Sequence, residues 1–420
     1  MNVIDDRERG SAGQAQGGGM RQGWTWKPLG EVCKTGSGGT PLSSRKEFYE
    51  GGTIPWLVSG EVAQGNVREA KNFITAAGLE NSAAKLFPRD TVLVAMYGAT
   101  AGQVAILRFE AATNQAVCGI LPNDKFVPEF LYYFLLAKKD DLVAQATGNA
   151  QPNISQIKIK NTAVPVLPLP EQHRIVTLLD EAFAGLATAK ANAEQNLQNA
   201  RAIFESHLQS VFSKRGEGWV ETTLETVLAT QPQNGWSPPA ANHADTGTPV
   251  LTLSSVTGFR FRSDKIKFTS AQTDLSKSYW VKNGDFLITR SNTPELVGHV
   301  AIAADIERPT IYPDLIMRMN PMPDRMITEF LYCQMRTPAM RTKIIGRAQG
   351  ANPTMKKISN GAVKTLPVTA PPIETQQVIV ATLQEVSTET QRLTSLYERK
   401  LAALEELKKS LLHQAFNGEL

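Results

Sequence analysis

The sequence contains no long hydrophobic stretch. No run of about 18 apolar residues occurs in the 420-residue chain, whereas a membrane-spanning helix needs about 20. Cysteine is also scarce: Cys33, Cys118 and Cys333 stand far apart and form no CxxC pair. Disulfide frameworks and cysteine-based zinc sites need more cysteines at closer spacing. We therefore expect a cytoplasmic protein with reduced thiols.

Enzyme motifs are absent as well. The glycine-rich segments GSGGT (36–40) and GATAGQ (98–103) lack the Lys of a P-loop, and neither HExxH nor GxSxG occurs. The five histidines have no metal-ligand spacing, and no DPPY or NPPF motif of an adenine methyltransferase is found. The sequence predicts a chain that is not an enzyme and binds neither metal nor cofactor.

The first 22 residues have little that could form a core. They are polar and rich in Gly, Gln and Ser, a composition typical of disorder. We expect 1–22 to be a disordered leader, and the sequence leaves open whether translation starts at Met1 or Met20.

The second half of the chain repeats the first. Seven landmarks recur in the same order, and the distance between copies grows slowly from 195 to 204 residues. Ordered recurrence of this kind indicates a duplicated architecture with small loop insertions. The landmarks are Gly23-Trp24 and Gly218-Trp219, Gly52-Thr53 and Gly247-Thr248, Asp90 and Asp285, 102–106 and 298–302, 129–132 and 329–332, Pro152 and Pro353, and Ser206, Leu208 and Phe212 with Ser410, Leu412 and Phe416.

Each half predicts a globular unit followed by a long helix. Short apolar runs between turn residues indicate strands, among them 259–268. Single helices are expected at 128–146 and at 328–345, the latter capped by Thr328. The predicted fold class is α+β, with two repeated α/β domains joined by two long antiparallel coiled-coil helices and related by a pseudo-two-fold axis. The predicted segments are the leader 1–22, domain 23–168, helix 169–215, domain 216–370, and helix with tail 371–420.

Both long helices carry an apolar seam. Steps of three and four residues from Val176 to Val211 meet eleven positions, of which nine are apolar. A helix over 170–212 would be roughly 60 Å long, and the second is expected from about Ile373 to Phe416. The first seam is weak at Lys190 and Ala193, so we expect part of the surface to bind partner helices. The candidate partner-binding residues are Phe183, Leu186, Leu197, Phe204, Leu393, Tyr397, Leu404 and Leu411.

Several loops suit nucleic acid, which a net charge of +4 permits without demanding. Backbone N–H groups and small hydroxyls can contact phosphates, whereas Arg, Asn and Gln can contact base edges. Arg260 and Arg262 are expected on one face of a strand. For any one of these residues an ordinary solvated loop or turn glycine is the simpler interpretation, whereas the whole set, at matching places in a duplicated architecture, favours DNA binding. The candidate DNA-binding residues are Lys34, Ser37, Gly38, Thr40, Arg45, Tyr97, Thr100, Asn114, Gln115, Arg260, Arg262, Arg290, Ser291, Asn292, Lys356 and Lys357.

Five segments resemble the specificity subunits of type I restriction–modification systems. They are GSGGTP with the following GGTIPWLVSGEV, MYGATAGQVAIL, TNQAVCGILP, PLPEQHRIV, and above all the terminal LKKSLLHQAFNGEL. The resemblance covers 23–420, and the N-terminal 20 residues match nothing in it.

The resemblance implies a non-catalytic DNA-reading subunit. Each target-recognition domain would read one half of a bipartite DNA site, and the helices would set the spacing and dock two methyltransferase subunits. Those partners would carry S-adenosylmethionine, and restriction subunits, where present, would use ATP and Mg²⁺. The opening loops differ, QPQNGWSPPA (231–240) against KTGSGGTP (34–41), so we expect an asymmetric site.

Two alternatives remain open from the sequence. The first is a recognition subunit for a restriction enzyme whose methylation and cleavage functions share one other chain. The second is a helical scaffold or adaptor whose globular domains bind proteins rather than DNA.

Overall fold

A computed structural model describes residues 24–146, 153–214, 216–350 and 354–420. The predicted leader and the repeated Pro152 and Pro353 lie outside these residues. The chain forms two compact units. Unit 1 comprises the residues up to Ala193 together with Arg399–Leu420, and unit 2 comprises Glu194–Glu398.

Unit 1 is built from short strands and helices. Its strands are β1 (Thr25–Pro28), β2 (Thr35–Ser37), β3 (Ile54–Leu57), β4 (Asn66–Val67), β5 (Asn72–Ile74), β6 (Leu86–Phe87), β7 (Val92–Ala95), β8 (Val104–Leu107), β9 (Ala111–Thr113), β10 (Val117–Ile120) and β11 (Ala163–Val166). Its helices are α1 (Leu29–Val32), α2 (Ala76–Glu80), α3 (Pro128–Ala137), α4 (Lys139–Ala144), α5 (Gln156–Asn161) and the first part of α6 (Leu169–Ser213).

The strands of unit 1 form a five-stranded sheet (β2-β10-β7-β8-β4), a four-stranded sheet (β5-β3-β9-β6) and the pair β1-β11. The pairings are antiparallel except β4–β8 and β3–β9. Side chains of β7 alternate between two hydrophobic clusters: Val92 and Val94 join the one that contains α3, and Leu93 and Ala95 join the other. Both faces of this strand are covered, which explains its uninterrupted apolar sequence.

Unit 2 repeats this organisation. Its strands are β12 (Val220–Thr223), β13 (Leu228–Asn234), β14 (His243–Ala244), β15 (Thr248–Leu251), β16 (Ile266–Thr269), β17 (Trp280–Val281), β18 (Phe286–Thr289), β19 (Ser291–Asn292), β20 (Val300–Ile302), β21 (Thr310–Ile311), β22 (Ile316–Pro321), β23 (Lys356–Lys357) and β24 (Pro367–Ala370). Its helices are the last part of α6, α7 (Thr328–Arg336), α8 (Pro338–Arg347), α9 (Asn360–Lys364) and the first part of α10 (Ile373–Asn417).

The sheets of unit 2 are β13-β22-β18-β20, β14-β16-β15-β21-β17, and the pairs β12-β24 and β19-β23. Side chains again alternate, since Phe286 and Ile288 face one cluster and Leu287 faces the other. The pair β12-β24 matches β1-β11 of unit 1, and both pairs are antiparallel over four residues. The duplicated α+β organisation predicted from the sequence is confirmed.

The two long helices are also confirmed, and within each unit they run antiparallel. In unit 1, Arg174 of α6 bonds to Leu420 (2.9 Å), and Lys190, further along α6, bonds to Glu405 (2.6 Å). In unit 2, Arg201 bonds to Glu398 (2.8 Å), whereas the later Leu208 packs on the earlier Leu383. Positions therefore rise along one helix as they fall along the other.

Three details of the predicted elements are wrong. The segment 128–146 is two helices, because Lys138 leaves the helical conformation (ψ 2°) between α3 and α4. The segment 328–345 is interrupted before Pro338, where Thr337 is extended (ψ 143°) because proline disfavours a helical residue before it. Thr328 is the first residue of α7 rather than its N-cap, which is Ile327.

A buried glutamine fixes the start of α6 to the globular part of unit 1. Gln172 is fully buried, and its Oε1 accepts from the Val127 N–H (2.9 Å) that precedes α3. Its Nε2 donates to the carbonyls of Lys125 (2.8 Å) and Leu167 (2.9 Å). One side chain thereby satisfies three backbone groups.

Gln376 makes the same three contacts at the start of α10. It is fully buried, its Oε1 accepts from Ile327 N–H (2.8 Å), and its Nε2 donates to the carbonyls of Arg325 (2.9 Å) and Pro371 (2.8 Å). The sequence places Gln376 204 positions after Gln172, which is the offset of the helix landmarks.

Among the described residues, no helix is both long enough and apolar enough to cross a membrane.

We expect replacement of either buried glutamine by Leu to lower the unfolding free energy of its unit by about 2–4 kcal/mol. The substitution leaves one buried N–H and two carbonyls without a partner in the protein interior. Urea denaturation followed by circular dichroism measures the change. Gln195→Leu is the control, because Gln195 is exposed and its side chain bonds to that of Asn199 (3.0 Å) within the same helix. Equal losses for buried and exposed positions would contradict the role of Gln172 and Gln376.

Candidate nucleic-acid interface

Three loops of unit 1 meet at one end of its five-stranded sheet. The register pairs Ser37 at the end of β2 with Cys118, and Ala95 at the end of β7 with Val117 at the start of β10. The segments that follow β2 and β7 and the turn that precedes β10 are therefore neighbours. We call this end of the sheet tip 1. The candidates that it brings together are Ser37, Gly38, Thr40, Tyr97, Thr100, Asn114 and Gln115.

A close backbone approach shapes tip 1. Gly38 N–H donates to the Val117 carbonyl (3.3 Å), and Gly39 N–H donates to the Thr113 carbonyl (2.9 Å). A Cβ on Gly38 would lie 2.0 Å from the Thr113 carbonyl oxygen. Only glycine fits here, so the glycine-rich segment serves the geometry of the tip.

Polar side chains hold the turn beside it. The hydroxyl of Thr40 donates to Oε1 of Gln115, and both side chains are exposed. Asn114 Oδ1 accepts from Ala116 N–H (3.2 Å), so this amide oxygen is used inside the turn. Tyr97 is 38% exposed, and Thr100 Oγ1 donates to its carbonyl (3.3 Å).

Two basic candidates of unit 1 do not join this group. Lys34 precedes β2, and its carbonyl accepts from Leu121 N–H at the opposite end of the strand pair (2.9 Å). An extended strand advances about 3.3 Å per residue, so Lys34 lies about 10 Å from Ser37. Arg45 follows the loop and forms an exposed ion pair with Glu47 (3.1 Å).

Unit 2 has the same tip, built from a different sequence. Gly235 N–H donates to the Ile316 carbonyl (3.2 Å), and Trp236 N–H donates to the Tyr312 carbonyl (2.9 Å). A Cβ on Gly235 would lie 1.9 Å from the Tyr312 oxygen. We call this end of the β13-β22-β18-β20 sheet tip 2.

The sequence analysis missed two residues of tip 2. Ser237 donates through Oγ to Oδ1 of Asp314, which repeats the contact of Thr40 with Gln115. Ser237 lies 197 positions after Thr40, and Asp314 lies 199 after Gln115. Extending the repeat into the loops would have identified both.

Arg290, Ser291 and Asn292 lie together with the two lysines of β23. Ser291 pairs with Lys357 and Asn292 with Lys356 in the β19-β23 ladder. The Arg290 carbonyl accepts from Ile358 N–H (2.9 Å), as the Met96 carbonyl accepts from Ile154 in unit 1 (2.8 Å). The loop after β18 therefore occupies the place in unit 2 that the loop after β7 occupies in unit 1. The group is strongly cationic: Lys357 is exposed, and Arg290 and Lys356 are half-buried.

The strand expected at 259–268 is wrong in its first part. β16 begins only at Ile266, and Arg260 and Arg262 lie in the turn before it. Arg262 donates to the carbonyls of Ser254 (2.9 Å) and Thr257 (2.9 Å). Because its guanidinium holds this turn, Arg262 no longer shares a free strand face with the exposed Arg260.

The candidate partner-binding residues are all half-buried rather than exposed. Phe183, for example, packs edge-on against the Tyr133 ring (5.4 Å) within unit 1. The exposed apolar side chains on the long helices are different residues. The large ones among them are Leu169, Leu178, Ile203, Val378, Leu396 and Leu407.

A cleft of about 710 Å³ opens in unit 2 beside Phe204, Tyr332 and Arg336. Its wall contains Cys333, and Ser387 also lines it. Cys333 stands 200 positions after Tyr133, and Ser387 stands 204 positions after Phe183. Small side chains thus replace the aromatic pair that fills the equivalent place in unit 1.

The three thiols are buried and unsuited to chemistry. Burial raises the pKa of Cys118 to about 12 and that of Cys333 to about 11, and it also raises the pKa of Cys33. Thiolates, the reactive form, are therefore scarce near neutral pH. In the described part of the chain, no three His, Cys, Asp or Glu residues group as metal ligands.

Comparison with known proteins identifies one family throughout. The family model described as "Type I restriction modification DNA specificity domain" matches residues 21–198 and again 216–405. The EcoR124I/EcoR124II specificity subunit of Escherichia coli is 29% identical over 161 residues, which cover 37% of this chain and 40% of that relative. The EcoKI specificity subunit of Escherichia coli strain K12 is 24% identical over 424 residues, covering 96% and 90%.

A solved structure has the same fold. It comes from work on the complex assembly and conformational transition of the type I R-M system. The TM-score is 0.75 at 20% identity, over 96% of this chain and 100% of the other.

We expect Gly38→Ala and Gly235→Ala each to cost about 1–3 kcal/mol of stability, because the new methyl group overlaps a carbonyl oxygen. Thermal unfolding of each variant measures the loss. Gly185→Ala is the control: its Cβ meets nothing within 4 Å, and Ala in a helix is favoured over Gly by up to about 1 kcal/mol. Unchanged melting of the two tip variants would contradict the close approach.

Proposed function

The chain belongs to the family of type I restriction–modification DNA specificity domains, and we propose that its two units read the two halves of one asymmetric, bipartite DNA site. Membership of this family makes it a DNA-recognition subunit without catalytic activity, and it favours this function over the scaffold and fused-enzyme alternatives. One observation carries the proposal: tips 1 and 2 share a backbone arrangement but present different side chains.

Tips 1 and 2 carry the kinds of polar group that recognition of a DNA sequence requires. Side-chain amides, carboxylates and guanidinium groups discriminate base edges in the major groove, whereas N–H groups, hydroxyls and lysines contact phosphates. Gln115 belongs to tip 1 and Asp314 to tip 2, and Arg290 and Lys357 lie near tip 2. Identical contacts to both half-sites would require the same side chains in both places. We therefore propose different half-sites.

We propose the following division of labour along the chain. Target-recognition domains span 23–168 and 216–370, and spacer helices span 169–215 and 371–420, after a leader at 1–22. The buried glutamines support this division, because each one ties a spacer helix to its domain. The helices then set the distance between half-sites.

The chain works in a complex with other restriction–modification subunits. We propose two methyltransferase subunits, which bind S-adenosylmethionine and methylate one adenine in each half-site. Restriction subunits that use ATP and Mg²⁺ join this complex in a complete system. Because the DNA substrate and the buried reduced thiols both suit the interior of the cell, we propose the cytoplasm as its location.

We expect deletion of the gene from its host to remove methylation from one bipartite, non-palindromic motif and to leave other motifs unchanged. Single-molecule methylome sequencing of both strains measures this directly. Restoring the gene on a plasmid should restore the motif. A palindromic motif would contradict two different half-sites, and unchanged methylation in a strain with an intact partner methyltransferase would contradict the function.

We expect Ile203→Asp with Leu396→Asp to prevent binding of a methyltransferase subunit without unfolding the chain. Both side chains are exposed (44% and 41%) on the helix pair of unit 2, near the Arg201–Glu398 bond. A buried contact with a partner would have to desolvate two carboxylates. Co-purification and analytical ultracentrifugation measure assembly.

Ala202→Asp provides the matched control, since it adds one charge at another exposed position of α6. Full assembly of the double variant would place the methyltransferase elsewhere on the chain. Loss of assembly accompanied by lowered thermal stability would instead indicate a folding defect, as we expect for Phe183→Asp, which breaks the contact with Tyr133.

A further inference from the structure

The two tips hold their central side chains in matching frames. At tip 1 the N–H groups of two successive residues bond to the Val117 and Thr113 carbonyls, and at tip 2 they bond to the Ile316 and Tyr312 carbonyls. The corresponding distances agree within 0.1 Å, at 3.3 and 2.9 Å against 3.2 and 2.9 Å. Side chains that follow these residues therefore occupy equivalent positions.

In each frame a hydroxyl holds one oxygen of a second side chain. Thr40 donates to Oε1 of Gln115, and Ser237 donates to Oδ1 of Asp314. Asp314 is fixed twice, because its backbone N–H also donates to Ser237 Oγ (3.2 Å). A side chain held at one atom presents its other polar atom in a set direction. Nε2 of Gln115 and Oδ2 of Asp314 have no hydrogen-bond partner within the described residues.

The remaining atoms have opposite hydrogen-bonding character. As held here, Gln115 presents an amide N–H₂, which donates, whereas Asp314 presents a carboxylate oxygen, which only accepts. At this equivalent position, unit 1 therefore presents a hydrogen-bond donor and unit 2 presents an acceptor. In the major groove, acceptors are N7 of purines, O6 of guanine and O4 of thymine, and donors are the amino groups of cytosine and adenine.

The negative charge of Asp314 argues against a contact with phosphate. A carboxylate facing the phosphate backbone would be repelled by it, and phosphate contacts are made by cations and neutral donors. The cations of unit 2 lie close by, since Arg290 Nη1 approaches the Asp314 carbonyl (3.5 Å). If the neighbouring cations bind DNA as proposed, a carboxylate among them stabilises the complex when it accepts a hydrogen bond from a base amino group.

We propose that Asp314 is a specificity-determining residue of unit 2, which accepts a hydrogen bond from the exocyclic amino group of a cytosine or adenine in the second half-site. Gln115 is its counterpart in unit 1 and donates to a base acceptor in the first half-site. This inference rests on the proposed function and adds the residue and the class of base group that it reads.

The experiment uses the full chain with its methyltransferase subunits in cells that carry Asp314→Asn. Asn keeps the oxygen that Ser237 holds and replaces the other oxygen by a donor. Methylome sequencing reports the motif of each variant. We expect discrimination at one position of one half-site to fall about ten-fold or more, as loss of a base contact requires, with the other half-site unchanged. Asp324→Asn removes an exposed charge elsewhere in unit 2 and should leave the motif intact.

Two further variants complete the test. Asp314→Glu retains an acceptor and should retain the base preference at reduced efficiency, even if Asp314→Asn assembles poorly. Gln115→Glu should change the other half-site alone. An unaltered motif for Asp314→Asn, or equal relaxation of both half-sites, would overturn the assignment. Failure of the wild-type complex to methylate any motif would instead overturn the proposed function.

Discussion

The buried glutamine at the start of each long helix is the contact on which the rest of each unit depends. Its amide satisfies one N–H and two carbonyls that burial would otherwise leave without partners. These groups belong to the segment before α3 or α7 and to the residues just before the long helix. The amide therefore fixes the direction in which a 45-residue helix leaves its domain. Because a small change of angle moves the far end of such a helix by many ångströms, a spacer needs this rigidity at its base.

Duplication gives the two units the same framework but allows the side chains at their tips to differ. The strands, the glutamine and the close glycine approach are retained because each solves a packing or hydrogen-bonding problem that both copies share. The side chains at the tips face no such constraint, and Gln115 of one copy corresponds to Asp314 of the other. The cleft beside Cys333 and Ser387 shows the same freedom on the helix side, since small residues there replace the pair of Tyr133 and Phe183. The two copies therefore differ both at the exposed tips and at buried positions such as Tyr133 and Cys333.

Much of this organisation could be predicted before any coordinates. The repeat predicted two units, the apolar seams predicted two long helices that pair, and the order of these elements along the chain predicted that the pair is antiparallel. Local breaks were harder to place. Pro338 interrupts a helix that periodicity alone extends through it, and Arg262 lies in a turn that alternation assigns to a strand. The first break comes from the restriction that proline places on the residue before it, and the second from the bonds of the Arg262 guanidinium to the carbonyls of its own turn.

Order and spacing along the chain were enough to predict the duplication, the fold class and the family. Which loops meet became clear from the folded chain. Strand register brings Thr40 to Gln115 and Ser237 to Asp314, over 75 and 77 residues, and it separates Lys34 from Ser37 although they are close in sequence. It likewise showed that the seam residues pack within their own units and that other apolar side chains remain exposed. Register and burial arise from long-range pairing, which spacing along the chain does not reveal.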